Sequence, residues 1–231
     1  MRQIALVGCA STWAQAPWDD ETWTIWAHCS CQPLLNPAQT ARVSRWFDMH
    51  QVEVWRNGKA WYRGSGSYVD WLGTLTAPVM MQAHYPIVPT SVAYPLREIV
   101  ETFSIVPADW QVTPDEPRWW HLVRKRGEFS STFAYMMAFA LYDGVDELGV
   151  YGIDFTAQEI ERVHQRPGAK YWVGMARGLN VPVTIPPESL LQHQDWLYGY
   201  ERRPDRQEIQ AETPVPPVND PMWFVPTVAH A

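Results

Sequence analysis

Residues Ser131 to Phe155, STFAYMMAFALYDGVDELGVYGIDF, decide how this chain folds. From Ser131 to Tyr142, Phe133, Met136, Met137, Ala140 and Leu141 recur at helical spacing, so the segment reads as a helix with one apolar face. Gly144 lies just past its end, where a left-handed glycine closes a helix. Leu148 to Ile153, LGVYGI, reads as a buried strand, and Asp154 follows it directly. A helix running into a buried strand is half of a doubly wound α/β unit, whose ligands bind in the crevice beyond the strands' carboxyl ends. Asp154 is therefore a candidate ligand contact.

Upstream, Ile4 to Ala10 (IALVGCA) predicts a short buried strand that runs into the small and hydroxyl residues Gly8 to Thr12. Trp23 to Cys29 and Trp46 to His50 predict the second and third strands, and Val79 to Ala83 the fourth. Residues 57–67 are punctuated by Gly and Ser as a loop, and Tyr68 to Leu75 predicts a short helix. Pro86, Pro89 and Pro95 break the chain after the fourth strand, before a short helix over Leu96 to Phe103 and an irregular surface segment from Ser104 to Arg118. Downstream, Lys170 to Leu179 predicts a helix closed by Gly178 and Asn180. The last strand, Val181 to Ile185, contains Pro182 and so belongs at a sheet edge or starts late. Ser189 to Tyr200 predicts a short closing helix. The order predicts a Rossmann-like three-layer α/β/α sandwich with a mostly parallel sheet, one domain over residues 1–201. From Arg202 to 231, Pro and charge dominate, which predicts a flexible or externally docked tail with Met222-Trp223-Phe224 as an anchor.

With 231 residues the chain suffices for one full core, or one core plus a tail. No apolar run reaches the roughly 18 residues needed to span a membrane. Ile4 to Val7 is strand-length, so no signal peptide is expected. Cys9, Cys29 and Cys31 form neither a zinc nor a redox motif, which predicts a reducing, cytoplasmic location. A net charge of −7 argues against holding nucleic acid chiefly through phosphates, although Arg124-Lys125-Arg126 is locally basic. Tryptophan, at 14 residues, is abundant: some must be core, while Trp13, Trp18, Trp55, Trp61 and Trp71 fall in loop-like sequence, where an exposed ring stacks on sugar or base.

Five groups carry candidate chemistry. In Gly8-Cys9-Ala10-Ser11-Thr12, small residues let backbone N–H groups approach a phosphate and two hydroxyls add donors, although a tight strand exit looks the same. Ser130-Ser131-Thr132 heads the best helix. Capping requires one hydroxyl, so the cluster either serves as a cap alone or leaves spare donors for an anion beside the positive end of the dipole. Asp154 suits a ribose hydroxyl, or else caps a turn. His164-Gln165-Arg166 joins a base suited to neutral pH with a phosphate partner on a polar segment. Cys29 and Gly152, at strand ends on the same expected edge, complete the nucleotide-binding set with Gln165. His28, Asp48, His50 and His84 also fall near strand ends, but their spacing matches no metal-ligand pattern, and no metal is expected.

Ser131 to Phe155 resembles, without a gap, the helix–strand segment of the bacterial lipooligosaccharide sialyltransferases, through Tyr135, Met136, Ala138, Ala140, Gly144, Glu147 and Gly152-Ile153-Asp154-Phe155. The first turn and Pro187-x-Ser189-Leu190-Leu191 are similar to that family's nucleotide-binding and closing segments. The chain also resembles proteins common in tailed-phage genomes. The resemblance implies a Rossmann-like domain that uses a CMP-activated sugar. It keeps Gly8, replaces the family's Asn by Cys9, and puts Thr12 at the last hydroxyl position. It turns Thr-Ser-Gly at the helix start into Ser131-Thr132-Phe133. The family's catalytic histidine aligns with Arg162, which makes His164 its equivalent. The family's tyrosine-bearing lid is replaced by a connection of about eight residues between Phe155 and His164, leaving Arg166 as the phosphate partner.

The expected function is a metal-independent glycosyltransferase with catalytic His164, Arg166 and Asp154. It takes a nucleotide sugar as donor and a glycan or hydroxymethylated DNA base as acceptor. The alternative is a non-catalytic nucleotide-binding protein on the same fold. A homo-oligomer fits either.

Overall fold

The computed structural model describes residues 1–51, 67–103, 128–156 and 161–193. Among the described residues seven strands form one sheet: β1 (Gln3–Val7), β2 (Trp23–His28), β3 (Val43–Phe47), β4 (Val79–Met81), β5 (Ser91–Ala93), β6 (Glu147–Tyr151) and β7 (Val183–Thr184). Their order is β5-β4-β3-β2-β1-β6-β7, and every pairing is parallel. The helices are α1 (Pro37–Arg42), α2 (Tyr68–Thr74), α3 (Leu96–Thr102), α4 (Thr132–Tyr142) and α5 (Arg166–Gly178). This is the expected α/β class, with the sheet parallel throughout.

Alternation along the strands builds two cores. Ile4 and Leu6 of β1 face one way with Trp26 and Phe47, against Ile99 and Val100 of α3, the buried face of α4, and Trp172 and Val173 of α5. Ala5 and Val7 face the other way with Ile25, Ala27, Val43 and Trp46, against Tyr68, Val69 and Leu72 of α2. A sheet covered on both faces needs apolar residues at successive positions, which is why IALV and LGVY read as continuous runs. The layers are therefore α3–α4–α5, sheet, α2.

Element ends follow local chemistry. Gly144, at φ +75°, closes α4 as its position predicts, and Asn180, at φ +59°, does so for α5. β7 lies at the sheet edge, and its pairing begins only after Pro182, as a residue lacking an N–H requires.

Several elements differ from the sequence reading: β1, β4 and β6 stop two or three residues before their expected ends at Ala10, Ala83 and Ile153. β3 starts at Val43 and stops at Phe47, because the Asp48 carboxylate takes the His50 N–H at 3.0 Å and turns the chain. α5 starts at Arg166, since Pro167 in its first turn is tolerated there, and a π-helical turn over Glu161–Gln165 precedes it. Helix α1 is an addition to the expected elements, formed where Asn36 and Gln39 make a reciprocal capping box with Pro37 at the first position. Strand β5 is a second addition, three residues long and flanked by prolines.

The chain divides into Met1–Gln192 and His193–Ala231. The expected boundary after 201, the tail, its 222–224 anchor, the 104–118 surface segment, the 124–126 basic run, Trp55, Trp61 and most of the expected closing helix lie outside the described residues. Of that helix, Leu190–Gln192 is a 3-10 turn. Trp18 is buried and Trp13 half-buried, meeting edge to face at 6.4 Å, so this pair is packed rather than displayed. Among the described residues no helix is long and apolar enough to cross a membrane.

Candidate functional site

The strand order reverses at β1, which has β2 on one side and β6 on the other. The carboxyl edge at this reversal carries the segments after β1, β2, β3 and β6. Helices α4 and α5 run back from that edge, because each precedes a parallel strand.

Gly8 and Gly152 hold the reversal point closed. The N–H groups of Gly8 and Ala10 donate to the carbonyls of Tyr151 and Gly152, both at 2.8 Å. The buried Thr12 hydroxyl accepts from the Gly152 N–H at 2.8 Å. A Cβ on Gly8 would lie 2.2 Å from Ile153 Cδ1 and 2.3 Å from the Gly152 oxygen. The small residues of this turn thus permit two backbones to meet. Cys9 and Ser11 stay exposed on its outer side.

Asp154 and Arg166 grip one segment from two sides. Asp154, 7% exposed, places Oδ1 2.8 Å from the Ser189 hydroxyl and 3.1 Å from the Leu190 N–H that it accepts. The Arg166 guanidinium donates from Nε to the Leu191 carbonyl at 3.0 Å and from Nη2 to the Leu190 carbonyl. The residues expected near one another are brought together, but as clamps on residues 189–191. Phe155 follows at φ +54°, a left-handed conformation that a bulky side chain adopts only under strain.

Ser130, Ser131 and Thr132 are half-buried at the head of α4. Ser131 caps it by accepting the Ala134 N–H at 3.3 Å. The Ser130 hydroxyl donates to the Gln165 carbonyl at 3.3 Å, which ties the start of α4 to the start of α5. Gln165 is half-buried, and His164 beside it is exposed. Ser131→Ala should lower stability by about 1 kcal/mol through the lost cap. Thermal unfolding measures that loss, and any fall in nucleotide-induced stabilisation beyond it would show the hydroxyl also meets an anion.

A further cluster, weighed from sequence only as a metal site, stands at the ends of β2 and β3. Asp48, 1% exposed, places Oδ1 2.5 Å from His50 Nδ1 and accepts the Tyr68 hydroxyl on Oδ2 at 2.5 Å. Burial, with Cys29 and Asp48 nearby, pushes the Tyr68 phenol well above its usual value, so it keeps its proton and donates. His28 lies edge to face with His50 at 6.0 Å, and its Nδ1 meets the Ser30 hydroxyl. Cys29 is buried here. Cys31 is also buried and donates its thiol to the Val7 carbonyl at 3.2 Å; burial raises its pKa well above the ordinary thiol value. None of the three cysteines is in a disulfide.

His84 stands apart, with Nδ1 2.9 Å from the Ser91 carbonyl. Among the described residues no three His, Cys, Asp or Glu side chains converge as a metal site. The signal that sequence reasoning passes over is Asp48-Met49-His50, an Asp-x-His leaving a buried strand, whose turn folds the carboxylate onto its own histidine.

No family model, curated protein or solved structure matches the chain.

Proposed function

We propose that this chain transfers a sugar from a nucleotide-activated donor to a hydroxyl acceptor, without a metal. The observation that carries the proposal is the bond from the Ser130 hydroxyl to the Gln165 carbonyl, which sets the N-terminus of α4, with Ser131 and Thr132, beside the π-helical turn that carries His164 and leads into Arg166. Aligned backbone dipoles favour an anion at such a place, and a departing nucleotide phosphate is one. The likeness of residues 131–155 to the sialyltransferase segment supports the same reading.

His164, exposed in the turn before α5, takes the proton of the acceptor hydroxyl, while Arg166 and the N-terminus of α4 stabilise the departing nucleotide phosphate. Cys9 and Ser11, exposed on the first turn, line the nucleoside side. The acceptor is a glycan or a hydroxymethylated base. Net acidity favours the former.

The test is donor consumption by purified protein, with CMP-, UDP- and GDP-sugars in the presence of EDTA. Turnover is expected. His164→Ala should reduce kcat at least about 100-fold, the usual weight of a positioned proton-transfer group. Full turnover by this variant would remove His164 from the mechanism.

One observation favours non-catalytic nucleotide binding instead. Asp154 and Arg166, both expected in catalysis, are already engaged with residues 189–191. On that reading nucleotides raise the melting temperature while no donor is consumed.

A further inference from the structure

We propose that Cys9 and Cys31 close a reversible disulfide under a peroxide oxidant, tying the turn after β1 to the turn after β2. Sugar transfer as read above gives neither sulfur a chemical step, so the bridge stands or falls apart from it.

The thiols gather at one end of one core. Ala5 and Val7 of β1 face the α2 side of the sheet, and Cys29 and Cys31 are buried on that same side. The Gly8 N–H still bonds the Tyr151 carbonyl, so the chain runs on past β1, and strand alternation turns Cys9 to the side of Val7. Cys31 reaches back to the same point. Its Sγ donates to the Val7 carbonyl at 3.2 Å, and Gly8 alone separates that carbonyl from Cys9. Successive Cα atoms lie about 3.8 Å apart, so a local shift of the Cys31 turn is enough to bring the two sulfurs together. Burial pushes the Cys31 thiol well above the ordinary range, and Cys9, ahead of Cys29, adds to the rise as a neighbouring thiol.

Exposure divides the roles. Cys9 is open to solvent, whereas Cys31 is 0% exposed. An oxidant therefore meets Cys9 first, and the protonated, covered Cys31 is spared until that sulfur has reacted. Cys29 lies instead beside the Tyr68 hydroxyl of α2. The segment that must move is short: Cys31 sits in the 3-10 turn Cys29–Leu34, whose hydrogen-bond geometry is poorer than that of an α-helix.

Hydrogen peroxide supplies the two-electron step. The Cys9 sulfur attacks one peroxide oxygen, the O–O bond breaks, and Cys9 becomes a sulfenic acid while the other oxygen leaves as water with the thiol proton. The Cys31 sulfur then attacks the Cys9 sulfur, the S–O bond breaks, and its hydroxide leaves as water with the Cys31 proton. Two electrons pass from the thiol pair to the peroxide, and a dithiol such as dithiothreitol returns them.

The full chain, reduced and then treated with hydrogen peroxide, should lose two of its three thiols and about 2 Da without forming a covalent dimer. Peptide mapping should join Cys9 to Cys31 and leave Cys29 as a thiol, and dithiothreitol should restore all three. In Cys31→Ala the unresolved Cys9 should advance to sulfinic acid, a gain of about 32 Da, at a dose that leaves the wild type at the disulfide. Cys9→Ser, at an exposed position, gives a second reading free of any packing defect: its two buried thiols should survive the same dose. Three surviving thiols in the wild type, a Cys9 sulfinic acid formed there without a bridge, a bridge that includes Cys29, or one between two chains overturns the assignment.

Discussion

Gly152→Ala will lower the melting temperature by roughly 10 °C, from a loss of about 3 kcal/mol or more, whatever the chain's activity. Two independent effects act at this position. Its φ of +67° is one that L side chains rarely adopt. Its new Cβ would also lie 2.5 Å from the Gly8 oxygen and 2.9 Å from Trp13 Cβ. Backbone cannot swing aside as a side-chain tip does, so β1 and β6 would have to separate where Gly8 and Ala10 bond Tyr151 and Gly152. Gly8→Ala should behave alike, and the double variant should cost less than the sum of the two, because once the strands part the second clash is relieved. Thermal and denaturant unfolding of the three variants checks this. Unchanged melting in Gly152→Ala would show that the two backbones do not meet as described.

Asp154→Ala comes second, at about 3 kcal/mol. It removes a charged acceptor from a Leu190 N–H and a buried Ser189 hydroxyl, and bonds to charged groups contribute roughly 1.5–3 kcal/mol each. Asp154→Asn, which keeps a carbonyl oxygen for both donors, should lose less than half of that. The pair separates two roles. If Asp154 clamps residues 189–191, stability follows this order and nucleotide binding follows stability. If it holds a ribose, Asp154→Asn abolishes nucleotide-induced stabilisation while melting close to wild type.

The layers, the central strands and the helix–strand unit at 131–155 are legible in the sequence because apolar runs and helical spacing are strong local signals. β5 is not, since three residues between prolines carry too little pattern to mark a strand. α1 escapes notice despite its Asn36–Gln39 box, because the segment buries no side chain and hence shows no apolar stripe.

The site is legible in its location and not in its roles. Asp154 does follow a buried strand at the ligand-binding edge, but sequence spacing cannot reveal that Ser189, thirty-five residues on, fills its reach. Gly8 reads alike as phosphate cradle and as close-approach glycine, and only the neighbouring Gly152 separates the two. The Asp48–His50 pair is visible as letters. What gives it chemical meaning is a 2.5 Å contact and the Tyr68 hydroxyl arriving from another helix, neither of which one segment can show.

The first strand lies inside the sheet, and one of its two neighbours is the last strand but one to be made. Gln3 pairs with Glu147, so during synthesis one flank of that strand waits for more than half the chain to emerge. At about 5–20 residues per second the delay is on the order of 10 s. Nascent chains will therefore display an apolar, unpaired ribbon for that time, and recombinant yield should depend on chaperone supply and growth temperature more than on the stability of the finished protein.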